Sequence, residues 1–131
     1  MENRTIREEI AKEVDDFTKA LLDRDRDEQA LRYNQDKLQW SLVDFNSLEG
    51  MVRVLEYGAD KYARDNWKKG MPVTKISESL MRHLFAFLGG EDIDPESGCR
   101  HISHVLCNAM FIEYIIKEKS NYDDRQNSNK I

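Results

Sequence analysis

Ser79 to Asn108, SLMRHLFAFLGGEDIDPESGCRHISHVLCN, is the stretch on which the reading of the whole chain turns. Ile76, Leu80, His83 and Phe87 make one helical stripe, and Met81, Leu84 and Leu88 widen it. Thr74, just after Pro72, is the expected N-cap of that helix, and Gly89-Gly90 its end. An acidic loop follows. Asp94-Pro95 suits an N-cap with proline at the first helical position, and Glu96 suits the helix dipole, so the next helix is expected to begin there. Ile102, Val105, Ala109, Ile112 and Ile116 form its expected core stripe. His101, His104 and Asn108 share a face roughly 100° round the helix, bordering the core as a cleft wall does.

Outward from this pair the chain stays helical. A further helix is expected from near Asp44, with Leu48, Val52, Leu55, Ala59 and Tyr62 as its core stripe and Lys61 and Arg64 at its C-terminal end. Asp65 to Pro72 then makes a short polar loop around Trp67. Residues 33–40 break the period and read as a connector. Residues 2–31 carry a narrow stripe, Ile6, Ile10, Val14, Phe17 and Leu21, on an otherwise charged helix. Such a helix gains its stability by packing on the body or on a second chain, so it is read as a packing or homo-oligomerisation arm. The run Asp23-Arg24-Asp25-Arg26-Asp27-Glu28 alternates in sign and reads as a solvated face. Strand-like alternation is lacking. The expected fold is all-α: a small bundle of about four helices, with an N-terminal helical arm over 1–31, a core over 32–117 and a frayed polar tail over 118–131.

At 131 residues the chain suits one core. Its net charge of −5 gives no general attraction for nucleic acid or an anionic membrane, so a polyphosphate ligand would have to be held by local cations or a metal. No apolar run is long enough to span a membrane. Cys99 and Cys107 stand eight apart on one expected helix, about 12 Å of rise, too far for a mutual disulfide. They read as reduced thiols of a cytoplasmic protein.

The chemistry concentrates in the quoted stretch. It holds all three histidines, His83, His101 and His104, around a loop with Glu91, Asp92, Asp94 and Glu96. Taken alone, His83 reads as a core histidine, and Asp94 and Glu96 as cap residues. Glu91 and Asp92 have no such explanation, and four anions crowded together call for a positive partner, either Arg82 and Arg100 or a metal ion. The loop carboxylates and His101 are therefore the candidate metal ligands. All-oxygen coordination would suit Mg²⁺, whereas histidine among the ligands would favour Mn²⁺ or Zn²⁺. His83, His101, His104 and Glu91 are the candidate catalytic groups. Lys61 and Arg82, with Lys37 in reserve, are the expected phosphate clamps. Asn66, Trp67 and Asn108 complete the small-molecule contacts, and Glu56 is a spare carboxylate on the same side.

Four segments carry a resemblance. They are Tyr33-Asn34 with Lys37 and Trp40-Ser41-Leu42; Gly58 to Tyr62 with Asn66-Trp67; Arg82-His83-Leu84; and Gly90 to Gly98 with His101, His104 and Asn108. In order and spacing over roughly residues 33 to 112 they resemble the small phage domain called dATP/dGTP diphosphohydrolase, N-terminal. The resemblance implies an all-α phage enzyme of the host cytoplasm that cleaves dATP or dGTP to the monophosphate and pyrophosphate with a divalent cation. An alternative is a binding module that sequesters a nucleotide or a nucleotide second messenger. The ExxE pairs that hold Mg²⁺ in the broader MazG-type pyrophosphohydrolases do not occur. The ExxD spacing occurs only at Glu13–Asp16 and Glu91–Asp94.

Overall fold

The computed structural model describes residues 5–126, without the side chains of 24–28. Residues 1–4 of the expected arm, 127–131 of the expected tail and most of the charge run from Asp23 to Glu28 lie outside the described side chains. The fold is all-α. Four α-helices are described: α1 (Ile6–Glu28), α2 (Glu49–Lys61), α3 (Val73–Leu88) and α4 (His101–Glu118), and no strand occurs among the described residues. Short 3₁₀ turns at Trp40–Leu42, Phe45–Leu48, Asn66–Lys69 and Ser120–Tyr122 join or follow them.

The chain divides into two units, Met1–Gln39 and Trp40–Ile131. In the first, Thr5 and Glu8 cap α1 reciprocally. The Glu8 amide donates to Thr5 Oγ1 and the Thr5 amide to Glu8 Oε2, both at 3.3 Å.

The second unit is built on α3 and α4, with α2 laid against α4. Val73 and Ile76 of α3 and Ile115 of α4 are its buried hydrocarbon centre, packed round by Met71, Phe111, Ile112, Tyr114 and Tyr122. Gly50 of α2 lies so close to Ser103 of α4 that a Cβ there would meet the Ser103 side chain. Glycine suits the close approach of the two helices.

Several expectations change. Asp94-Pro95 does not start α4, which begins at His101. The Asp94 carboxylate instead accepts the amides of Glu96 and Ser97, both at 3.2 Å, and closes a tight turn. Gly98 continues that turn at φ +73°, and Ile93 and Arg100 then meet as an isolated antiparallel bridge. Cys99 consequently lies in the loop, apart from Cys107 on α4, and both are free thiols.

The buried faces differ too. In α2, Val54 is buried while the expected core residues Val52 and Tyr62 are exposed. In α4, Ile102 and Ile116 are 40% and 39% exposed, whereas His101, Ser103, His104, Cys107 and Ile115 are buried. The histidine face is thus the inward face. Burying imidazole costs little when its nitrogens find partners, and among the described residues no buried side-chain nitrogen or oxygen lacks one.

Thr74 does not cap α3, whose N-cap position is Pro72. The Thr74 amide donates to Asp124 Oδ1 at 3.0 Å, so a residue of the expected frayed tail satisfies this helix end. Tyr122 packs on the core beside it. As far as Asp124, the tail is folded against the unit.

Candidate functional site

The last turns of α3 and the first turns of α4 bring the three histidines together, and the loop between those helices folds back to supply acids. Glu91 Oε1 lies 2.7 Å from His101 Nε2, and His101 Nδ1 lies 2.8 Å from His83 Nδ1. The His83 ring stacks on His104, centroids 4.0 Å apart and planes within 2°. His104 Nε2 is 2.7 Å from Ser97 Oγ, which donates to Asp94 Oδ2 at 2.8 Å. Asp94 Oδ2 itself is 3.5 Å from His104 Nε2.

Burial sets the protonation of this cluster. Desolvation lowers the His83 pKa, assisted by the neighbouring His101 and Arg82 and opposed by Asp94. Desolvation, then the His83 charge, pushes His104 down to about 4. Both rings are therefore neutral at pH 7, each with one lone pair to offer. Burial alone would raise Asp94. Hydrogen bonds from Ser97 and from the Glu96 and Ser97 amides outweigh it and hold the carboxyl below the usual range.

The cluster forms one wall of a cleft of about 1360 Å³ among α2, α3, α4 and the Asn66–Lys69 turn. Lys61 of α2 also lines the cleft, 3.1 Å from Glu96 Oε1, which accepts from the Tyr57 hydroxyl at 3.4 Å. The hydrogen bond with Glu96 raises the Lys61 pKa above its ordinary value. Arg82 lines the cleft and makes no ion pair or hydrogen bond among the described residues. Glu56 and Asn66 line it as well. Trp67 is half-buried, stacked on Phe111 at 4.5 Å and edge-on to Tyr114. It is a wall of the cleft and not an exposed loop residue. Asn108 is tied to α3 by a 3.3 Å bond to Ser79.

The four loop acids do not gather at one point. Glu91 goes to His101, Asp94 to Ser97 and His104, and Glu96 to Lys61. Asp92 contributes its backbone carbonyl to the His101 amide at 2.9 Å. Lys37 belongs to the first unit. Sequence reasoning missed two residues. Ser97 links Asp94 to His104, and its position three after an aspartate in a Pro-containing turn is a recognisable signal. Tyr57 was hidden by the misjudged face of α2.

The family model described as dATP/dGTP diphosphohydrolase, N-terminal, matches residues 27–125. The chain belongs to this family. Among curated proteins, the chain is similar to one named dATP/dGTP diphosphohydrolase from Salmonella phage PMBT28. The two are 31% identical over 96 residues, 73% of this chain and 33% of that protein. The chain thus corresponds to about a third of that relative's length. No solved structure matches the domain. None of its described helices is long and apolar enough to cross a membrane.

Among the described residues His83, Asp94 and His104 each offer a ligand atom, all within 4.8 Å of one another. Their arrangement does not suit one shared ion. The His83 and His104 planes lie within 2° of parallel, so their in-plane lone pairs meet at no common point, and His104 Nε2 donates to Ser97 Oγ, whose own proton goes to Asp94.

Proposed function

We propose that this chain hydrolyses a purine deoxynucleoside triphosphate, dATP or dGTP, to the monophosphate and pyrophosphate in the cleft faced by the histidine cluster. The observation that carries the reading is the joining of three imidazoles and Asp94 into one network on the lining of a cleft that Lys61 also lines. The family and its phage relative supply the substrate class.

Each group has a role. Lys61 exchanges the exposed carboxylate of Glu96 for a phosphate oxygen, an easy trade because a surface ion pair contributes little. Arg82 joins it as a second, bidentate clamp. Asn66, at the Trp67 end of the cleft, reads the base edge. Water attacks the α-phosphorus, a P–O bond forms there, and the bridging bond to the β-phosphate breaks as pyrophosphate leaves. Glu91, outside the cleft lining, holds His101 in place, and the neutral imidazole of His83, which lines the cleft, receives the proton of that water.

The test is pyrophosphate release from each dNTP, with Mg²⁺, Mn²⁺ or Zn²⁺ and with chelator. Glu91→Gln and His101→Ala are each expected to lower the dATP or dGTP rate by about 100-fold or more with helical content kept. Tight nucleotide binding without turnover would replace the hydrolase reading with sequestration.

A further inference from the structure

We infer that the side of the α3–α4 pair turned away from the cleft is an interface, at which two copies of this chain pair symmetrically. The inference goes beyond the hydrolase reading and does not depend on it. It concerns the unit from Trp40 onward alone.

The face follows from helix geometry. His101, His104 and Ile115 of α4 turn towards α3, and Ser103 turns towards Gly50 of α2. At about 100° per residue, Ile102, Leu106, Ala109 and Ile116 fall together on a third side, within roughly 80° of one another. None of them lines the cleft, whereas Glu113, which would interrupt their stripe, does. His83 meets His101 and Ile76 meets Ile115, so the two helices run antiparallel. Ser79, Arg82 and His83 of α3 take the cleft side, which leaves Met81 and Leu88 beside the α4 stripe and Phe85 at its edge. Ile102, Ala109 and Ile116 have the spacing of a core stripe, yet a single chain gives them no cover.

Area decides what this face is for. Met81, Phe85, Leu88, Ile102, Leu106 and Ile116 are each between 38% and 69% exposed. At roughly 200 Å² for a large side chain, they present on the order of 500 Å² of apolar surface. A standard interface takes about 800 Å² from each partner, and about 65% of it is apolar when the partners are identical. The face therefore offers the hydrocarbon that such a contact needs. The single chain, by contrast, buries only five hydrophobic side chains among the described residues: Val54, Val73, Ile76, Cys107 and Ile115. Charge points to a second copy as the occupant. None of the six is charged, so an identical face meets no repulsion, and no oppositely charged partner is called for. For a chain of net charge −5, an uncharged face is where two copies can meet. Ala109, small and central in the α4 stripe, lets a facing helix come close. A membrane suits the face less well, because the acids Glu78 and Glu113 stand beside it where a membrane-binding helix carries lysine or arginine.

The experiment is sedimentation equilibrium of the full chain across the micromolar range, where a dimer is expected. Leu106→Glu brings two carboxylates into the contact and should raise the dissociation constant by about 100-fold or more. Helical content by circular dichroism confirms that the variant is folded, and Met81→Lys on α3 gives the second reading if Leu106→Glu unfolds. The exposed stripe of α1 is the rival holder of a dimer. Phe17→Glu, on that stripe, should leave the dimer intact. In dimers assembled from ¹³C-labelled and unlabelled copies, isotope-filtered NOEs should join the methyl groups of Ile102, Leu106 and Ile116 to the facing copy. A monomeric parent would overturn the interface. So would a dimer unchanged by folded Leu106→Glu and Met81→Lys, or intermolecular NOEs confined to α1.

Discussion

The α3–α4 pair is held in two different ways along its length. At one end Val73, Ile76 and Ile115 are almost fully buried in hydrocarbon. At the other end the same two helices meet through His83, His101 and His104, with Glu91, Ser97 and Asp94 closing over them. Apolar burial is non-directional, so the first end fixes that the helices pack and leaves chemistry out. Hydrogen bonds are directional, so the second end fixes which atom faces which and keeps lone pairs for a ligand. The difference teaches that stability and chemistry occupy opposite ends of one helix pair.

That division can be broken or sharpened. The largest effect should come from the apolar end. Ile115→Ala is expected to cost about 2–5 kcal/mol in urea unfolding, while the imidazole NMR signals of the folded protein stay unchanged. Shifted imidazole signals in that variant would show that the ends are not separable. A smaller effect belongs to the imidazole end. His104 titrates near 4 in the fold against 6.5 when free. With its folded pKa lowered, the unfolded chain takes up the proton first as pH falls. Stability is then complete above about pH 6.5 and declines towards pH 4, by an amount on the order of 2 kcal/mol. Chemical unfolding of the chelator-treated protein across that window measures it, and a flat profile would contradict a buried neutral ring. The smallest effect returns to the apolar end, where Asp124→Ala removes the acceptor of the Thr74 amide and should lower the melting free energy by about 1 kcal/mol. A null result there would mean that water replaces the acceptor fully.

Much of this was legible from residue order, and the failures share a cause. The α3 period and its stop at Gly89-Gly90 were readable because both are local. The start of α4 was not. Asp94-Pro95 suits a helix N-cap and a tight turn equally, and Gly98 with the Ile93–Arg100 bridge decides for the turn. The inward face of α4 was hidden for a related reason. Apolar residues lie on several of its sides, and hydropathy counts histidine as polar whether or not a partner awaits it. Those partners, Glu91 and Ser97, become visible only once the loop is folded. The convergence of the imidazoles depended on how α3 and α4 cross, and the dispersal of the acids to separate partners on side-chain directions, and spacing contains neither.

The bare Cα of Gly50 lets α2 settle against α4 at Ser103, the contact through which the helix of Lys61 meets the helix of His101 and His104. A methyl group there would press on the Ser103 side chain, which must turn away before the two helices could keep that approach. One missing side chain thus helps seat the helix that carries Lys61.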